Sequence, residues 1–328
     1  WSEYIGILTA AYLKMEGIYI KFPDGGHVKF KSITLNSIVM GVVELLDLQN
    51  LEVVSSAEID IERATVQSLQ IKNLDFNYLD KKIALAGKSN LWGIDEVVSR
   101  NWKIKSRVPA AEFELGYFAV KNVQRDQGLI TKARATLNDV TIPLKAFRSK
   151  FPMIDIAISV IGQSTLRANL DVGYEYDIDT QTYRGRPNVF EFKGLGKLKM
   201  EQVFTDVDAD AFPKLFSQPF KLSGEVNGKL ESANILYEDD TLMDKFIMMA
   251  GGDRFAIADA ATQKIREMYL ADPKTGNAAA KAMRAFITGT NFFSISMRPD
   301  DPIDREEIMK HWQAGTIGKV LQIDFSGG

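Results

Sequence analysis

Apolar and polar residues alternate through the segment from Leu166 to Tyr176, and the polar residues at 177–180 follow it as a turn. Successive side chains of a β-strand point to opposite faces, so this pattern places every apolar side chain on one face. The segment is therefore predicted to be a strand with one apolar and one polar face. Its apolar positions are Leu166, Ala168, Leu170, Val172, Tyr174 and Tyr176.

The same alternation recurs along most of the chain. Asp24-Gly25 separates the first two runs and is a strong hairpin signal, because glycine adopts positive φ at little cost. Frequent short strands without alternating helices favour an antiparallel sheet over βαβ units. The predicted strands are 18–22, 27–30, 57–61, 66–71, 74–79, 83–86, 112–120, 129–137, 140–144, 154–161, 166–176, 189–192, 197–200, 220–230, 292–297 and 320–325.

Apolar positions three and four residues apart predict helices in other regions. Residues 4–15 are interpreted as a short amphipathic helix. After about Glu238 the sequence predicts three consecutive helices, the first with Thr241 as its N-cap and Asp244 in the capping-box position. The remaining predicted helical segments are 94–98, 257–268, 277–287 and 304–312.

Together these elements predict a mainly β (α+β) fold. We expect a large curved antiparallel sheet or a β-sandwich, with a helical cap inserted before the last strands. Residues 1–237 are predicted to form a β-rich body with a short N-terminal helix. Residues 238–328 are predicted to form the helical cap and the C-terminal strands that complete the same body. No exact sequence repeat is visible.

Composition and charge narrow the class of protein. The chain of 328 residues is 45% hydrophobic and 25% charged, as in a soluble globular protein. The net charge of -3 gives no electrostatic case for nucleic acid as a partner. The absence of cysteine fits an oxidising compartment such as a bacterial periplasm. Since the chain begins at Trp1, a signal peptide or membrane anchor is expected to precede it.

Candidate metal ligands are few. The two histidines, His27 and His311, exclude a multi-histidine metal site and are interpreted as surface residues. The segment Asp206-Val-Asp-Ala-Asp210 has the carboxylate spacing that opens a calcium loop. Ala211 stands where that loop needs glycine, and Ser217 where it needs glutamate. A polar turn is therefore favoured, with calcium as the alternative.

Catalytic and cofactor motifs are not found either. The segment Gly194-Leu-Gly196 lacks the third glycine of a dinucleotide fingerprint and is predicted to be a bend between strands. Asp177 and Asp179 are interpreted as turn formers. We therefore predict no catalytic residue, no cofactor and no metal ligand. A non-enzymatic protein is favoured over an enzyme whose carboxylates meet in space.

The apolar strand face is the candidate functional feature. Such a face either packs on another layer as core or binds an apolar ligand, and both interpretations stay open. We expect partial cover of the 166–176 strand by the helices after Glu238. The candidate groove comprises the six apolar residues of that strand with Met248, Met249 and Phe255 of the helical cap.

Two segments resemble a known family. Residues 166–200 contain LRANLDVGYEYD and FKGLGKLKM, and residues 286–303 read FITGTNFFSISMRPDDPI. These segments resemble the AsmA-like group of β-repeat envelope proteins in Gram-negative bacteria and related uncharacterised periplasmic proteins. Strands of the form LDLxYxYD, GLGxLxL and SLTISLxPxxPV recur there. The resemblance implies a periplasmic protein anchored to the inner membrane and, for some relatives, lipid transport or outer-membrane homeostasis.

These observations lead to two functional hypotheses. The first is a non-enzymatic periplasmic protein that binds or conveys phospholipid or another envelope lipid along the apolar sheet face. The alternative is a structural or adaptor subunit of a cell-envelope complex, which binds protein partners through sheet edges or the helical cap.

Overall fold

The computed structural model describes residues 9–40, 42–56, 60–75, 93–107, 109–126, 129–148, 151, 153–209, 228–289 and 291–327. The described residues form thirteen strands that lie in one antiparallel sheet in the order of the sequence. The mainly β prediction is confirmed, in the form of a sheet rather than a sandwich. The strands are β1 Ala10–Lys21, β2 His27–Val39, β3 Val42–Val54, β4 Ile61–Asp75, β5 Glu96–Arg107, β6 Ala110–Asp126, β7 Leu129–Pro143, β8 Thr165–Asp177, β9 Thr182–Phe192, β10 Gly196–Thr205, β11 Lys229–Asp239, β12 Phe292–Met297 and β13 Asp324–Gly327.

The helices are concentrated near the C-terminus, between β11 and β12 and between β12 and β13. The predicted insertion of helices before the last strands is therefore confirmed. Besides a short 3-10 turn at Leu144–Phe147, the described helices are α1 Ile154–Ile161, α2 Leu242–Met249, α3 Arg254–Met268, α4 Pro273–Thr288, α5 Arg305–Gln313 and α6 Ile317–Leu321.

The chain divides into two compact units. The first contains residues 1–159 and 163–171, and the second contains residues 160–162 and 172–328. The predicted change from strands to helices at about Glu238 lies inside the second unit. That residues 1–237 and 238–328 form one body stays a prediction.

Two predicted helices are wrong, and both segments contribute to strands. The described part of the 4–15 segment belongs to β1, and the 94–98 segment leads into β5. A short apolar-rich segment fits either a helix or a strand. Pairing of β1 with β2, and of β5 with β4, decides for the strand in both places.

Two predicted strands also need correction. Ile154–Ile161 is helix α1, since a short continuous apolar run fits either element. The predicted strand at 320–325 is divided between α6 and β13, because left-handed Gln322 ends the helix. The predicted strands at 57–61, 74–79, 83–86 and 220–230 lie wholly or partly outside the described residues.

Helix capping explains where α2, α3 and α4 begin. Asp253 accepts a hydrogen bond from Ala256 N, and Asp272 precedes Pro273 at the first position of α4. Thr241 occupies the predicted N-cap position of α2, but its side chain makes no capping hydrogen bond. The carboxylate of Asp239 accepts from Met243 N instead.

These helices pack on the apolar face of the last strands in the second unit. Ile247, Ala258 and Phe286 are buried with Tyr237 of β11 and Phe293 of β12. A second cluster joins β11 to the short helices near the end of the chain. Its buried members are Leu230, Ala233, Ile303, Ile317 and Leu321.

Candidate functional site

Each of the first seven strands contains one residue in the left-handed backbone region. Their φ angles lie between 50° and 64°. Six of the seven are glycine, asparagine or aspartate, which tolerate this conformation best. The residues are Gly17, Ser37, Asn50, Asn73, Asn101, Asn122 and Asp139.

Strand pairing aligns these residues in two rows that run across the sheet. In the first row, Asn50 of β3 and Asn101 of β5 both lie opposite Gln67 of β4. The side chain of Asn101 donates a hydrogen bond to Gln67. Gly17 and Asp139 continue this row on β1 and β7. The second row contains Ser37, Asn73 and Asn122, on β2, β4 and β6.

Each left-handed residue brings the residue two positions before it and the residue directly after it to the same face of the sheet. Leu35 and Ile38, on either side of Ser37, pack in the same apolar cluster. Trp102 Nε1 donates a hydrogen bond of 2.6 Å to Ser99 Oγ, across Asn101. A strict period of two would place such pairs on opposite faces. The left-handed residues therefore keep one face apolar along the whole strand.

Directly paired residues show the extent of this surface, which we call the apolar face. Four ladders of side chains run across the strands of the first unit, two on each side of the first row. One ladder is Leu13, Leu35, Leu46, Ile71, Val97, Val120 and Ala135, and the next is Met15, Ile33, Leu48, Leu69, Ser99, Phe118 and Leu137. Beyond the row lie Ile18, Phe30, Leu51, Val66, Trp102, Leu115 and Val140, then Ile20, Val28, Val53, Ala64, Ile104 and Phe113.

The opposite face of the first unit carries ion pairs between neighbouring strands. The Glu96 carboxylate lies 2.8 Å from Lys72 Nζ and 3.4 Å from Lys121 Nζ. The hydrogen bond from Lys72 lowers the pKa of Glu96 below its ordinary value. Lys103 and Glu114 form a further pair of 2.9 Å. The sheet of the first unit is therefore amphipathic.

Burial varies across the apolar face. Ile38 and Val66 are 1% and 2% exposed, whereas Leu13 and Ile20 on the edge strand β1 are exposed. Within the described part of the first unit, helical residues are confined to the 3-10 turn and α1. Phe147 of that turn contacts Phe113, with ring centroids 6.4 Å apart. In these residues the face thus has no second sheet and no long helix over it.

The predicted strand of the groove is confirmed as β8. Its apolar positions from Leu166 to Tyr174 are half-buried, and Tyr176 is buried. Tyr176 donates a hydrogen bond of 2.7 Å to Val207 O, and burial raises the pKa of its hydroxyl. The Tyr174 ring stacks on Tyr183, with centroids 6.2 Å apart.

The helical part of the candidate groove occupies a different position. Met248, Met249 and Phe255 are exposed on α2 and α3, whose buried apolar residues are Ile247 and Ala258. The cluster formed by these helices has its strand members on β11 and β12. The structure therefore gives no support for packing of these three side chains on β8. Sequence periodicity identified apolar helical positions but not which of them face the sheet.

A small apolar cleft lies between α2 and β11. Its volume is about 320 Å³, and its lining includes Tyr237, Leu242, Met243 and Phe246. The Tyr237 hydroxyl donates a hydrogen bond of 2.8 Å to Asp239 Oδ1. Burial, followed by this carboxylate, raises the pKa of Tyr237 well above its ordinary value. Tyr237 therefore stays protonated and acts as a structural donor.

The remaining candidate groups have local structural partners. Asp177 accepts hydrogen bonds from the backbone N–H groups of Asp179 and Thr180, which confirms its turn role. Asp206 of the segment 206–210 lies 2.8 Å from Lys229 Nζ, and Asp210 of that segment lies outside the described residues. His311 Nδ1 lies 2.8 Å from the hydroxyl of Thr316. Among the described residues, no cluster of three or more acidic, histidine or cysteine side chains is placed to hold a metal.

Sequence reasoning missed the short repeat that produces the rows. Each left-handed residue follows one polar residue and precedes an apolar one, and in six of seven cases an apolar residue opens the motif. The exception opens with Ser99. The seven segments are Met15–Ile18, Leu35–Ile38, Leu48–Leu51, Ile71–Leu74, Ser99–Trp102, Val120–Val123 and Leu137–Val140.

Comparison with known proteins does not assign a function. A family model described as "Uncharacterized protein" matches residues 189–327, which is less than half of the chain. No curated protein and no solved structure gives a match. Of the helices in the described residues, none is long and apolar enough to cross a membrane.

Proposed function

We propose that this protein is a non-enzymatic envelope protein that binds lipid hydrocarbon along the apolar face of its first unit. The apolar face is the observation that carries the proposal. It extends over seven strands, its reverse side is ion-paired, and no second layer covers it within the described residues. Apolar surfaces of this extent that lack a covering layer are uncommon unless they bind something.

The dimensions of the face suit acyl chains. Neighbouring strands lie about 4.8 Å apart, so seven strands extend roughly 29 Å across the ladders. The hydrocarbon of one membrane leaflet is roughly 15 Å thick, half of a bilayer core of about 30 Å. A lipid tail aligned with the ladders therefore fits within the face.

Energetics favour a lipid with two chains. Burial of one methylene group contributes about 0.8 kcal/mol, so a chain of about 14 methylenes gains at most about 11 kcal/mol. Loss of translational and rotational freedom costs an estimated 4–15 kcal/mol. One chain barely offsets that cost and two exceed it, so phospholipid is favoured over free fatty acid.

A periplasmic location with an inner-membrane anchor is part of the proposal. The absence of cysteine supports it, because stray thiols are a liability in an oxidising compartment. The resemblance of residues 166–200 and 286–303 to AsmA-like proteins points the same way, although only by analogy of strand pattern.

Two neighbouring positions on opposite faces of β2 test the lipid function. Ile33 belongs to the apolar face, whereas Thr34 points to the other side. We expect phospholipid to co-purify with the wild-type protein and with Thr34→Glu, as measured by lipid extraction and native mass spectrometry. Ile33→Glu should lose most of that lipid, because a carboxylate is costly to bury beside hydrocarbon.

Circular dichroism must first show that both variants are folded. If Ile33→Glu unfolds, Ile33→Ser replaces it, because it reduces apolar area without adding charge. Lipid-free wild-type protein, or equal lipid in Ile33 and Thr34 variants, would contradict the proposal.

The second candidate, an adaptor subunit, is favoured by the edge strand β1. β1 is twelve residues long and lies at the end of the sheet, with Tyr12 and Tyr19 exposed. Long unprotected edges readily pair with another strand. Photocrosslinking in cells from position 19 tests this function. A discrete protein adduct on lipid-free protein supports the adaptor, and lipid-loaded protein without an adduct opposes it.

A further inference from the structure

The turn between α2 and α3 exposes a group of large apolar side chains, which we call the α2–α3 tip (residues 246–255). Met248 and Phe255 are 73% and 63% exposed, and Phe246 and Met249 are 46% and 52% exposed. Gly251 and Gly252 join the helices with φ of 106° and 81°, and a Cβ at either would meet nothing within 4 Å. The turn is therefore uncrowded, and the four apolar side chains beside it are exposed to solvent.

The charges around the tip are compensated by local partners. Arg254 forms an ion pair with Asp244, and Asp253 accepts from Ala256 N at the start of α3. Lys245 Nζ donates a hydrogen bond of 2.7 Å to Ile161 O. These two basic and two acidic residues sum to zero. An electrically neutral, apolar environment is therefore the complementary occupant, rather than a charged protein or nucleic-acid surface.

We propose that the α2–α3 tip inserts into the interfacial region of a lipid bilayer. The exposed methionine and phenylalanine side chains would leave water for the boundary between headgroups and acyl chains, as apolar faces of interfacial helices do. Phe246 also lines the cleft beside β11, so insertion would bring that cleft to the membrane. The inference goes beyond the proposed lipid face, because it concerns a different surface in the second unit.

Site-specific fluorescence tests the insertion directly. The chain has no cysteine, so Met248→Cys provides a single site for an environment-sensitive dye. The matched control is Leu270→Cys, which is 78% exposed just beyond the other end of α3. We expect phosphatidylcholine vesicles to shift the emission of the dye at position 248 to the blue and leave the dye at 270 unchanged. A dye at 248 that reports water throughout would overturn the proposal.

Vesicle sedimentation tests the energetic contribution of the tip. Met248→Ser with Phe255→Ser should weaken partitioning by about tenfold or more, because each removes a large apolar side chain from the bilayer. Leu270→Ser should sediment like the wild type. Binding should stay constant between about 0.1 and 0.5 M salt and should not require anionic lipid, since the four charges at the tip sum to zero. Wild-type protein that does not sediment, or double-variant protein that sediments equally, would refute insertion.

This test is independent of the lipid face. Loss of co-purified lipid in Ile33→Glu concerns the first unit, and dye emission at position 248 concerns the second. Protein that carries lipid without inserting its tip contradicts only the proposal of tip insertion. Protein that inserts its tip but carries no lipid contradicts only the proposal that the apolar face binds lipid.

Discussion

The left-handed residue Asn101 provides the sharpest test of the rows that organise the first unit. The left-handed conformation costs an L-residue about 1–2 kcal/mol of conformational free energy, and this cost is lowest for asparagine. Valine is disfavoured further, because a β-branched residue very rarely adopts positive φ. Glycine avoids the steric cost but loses about 0.5–1 kcal/mol of backbone entropy. We therefore expect Asn101→Val to be about 1 kcal/mol less stable than Asn101→Gly.

Asn138 is the matched control, because it lies in regular strand geometry one residue before left-handed Asp139. At this position the Asn138→Val variant should be more stable to unfolding than Asn138→Gly by up to about 1 kcal/mol, because strands favour valine over glycine. The order of the two substitutions therefore reverses between positions 101 and 138. The reversal amounts to about 2 kcal/mol and does not depend on the loss of the asparagine side chain.

Urea unfolding of the four variants measures this difference. With a slope of about 2 kcal/mol per molar urea, a change of about 1 kcal/mol moves the midpoint by about 0.5 M. Fluorescence of Trp102, adjacent to Asn101, should be followed with far-ultraviolet circular dichroism, since the two units can unfold separately. Equal or greater stability of Asn101→Val than of Asn101→Gly would refute left-handed geometry at this row.

Three further predictions concern individual contacts. Glu96→Gln should lower the free energy of unfolding at neutral pH, because the pKa of Glu96 is depressed in the folded state. The difference should be full above about pH 4.5, the ordinary value, and should shrink as the pH falls from there through the folded-state pKa. Urea midpoints measured against pH test this, and a difference that persists in acid would contradict it. Ser99→Ala should lower the free energy of unfolding by about 1–3 kcal/mol, because Trp102 Nε1 would lose its hydrogen-bond acceptor. The control Ser106→Ala keeps that hydrogen bond and should not show this loss. Gly327→Ala should expose α4 amides to hydrogen exchange, because its Cβ would clash with Ala282 O, whereas unchanged protection would contradict this.

The sequence predicted the general architecture because period two survives within each strand. It could not predict strand length, since each left-handed residue shifts the phase of the alternation. β7 was divided into segments 129–137 and 140–144 for this reason, with Asp139 at the break. A period that allows one inserted residue at asparagine, aspartate or glycine joins these two segments into β7.

The candidate site was predicted only in part. The apolar side of β8 follows from its uninterrupted alternation, and the structure confirms the strand. The exposure of Met248, Met249 and Phe255 could not be predicted from the sequence, because apolar residues occur on more than one side of α2. Which side packs is decided by β11 and β12, which are distant in sequence from those helices.

The two units solve one physical problem in different ways. A sheet with one apolar face must cover that face or bind something on it. In the second unit, α2–α4 bury Tyr237 and Phe293, and the described strands carry no left-handed residue within the paired segments of β11 and β12. In the first unit, the rows keep the face apolar along strands of 12–17 residues, well beyond the usual length of about 5–6. In the proposed function a lipid tail lies along the ladders, across the strands, so strands of this length give room for several tails side by side. We therefore propose that the recurrence of Asn, Asp or Gly at these positions serves a binding face in the first unit.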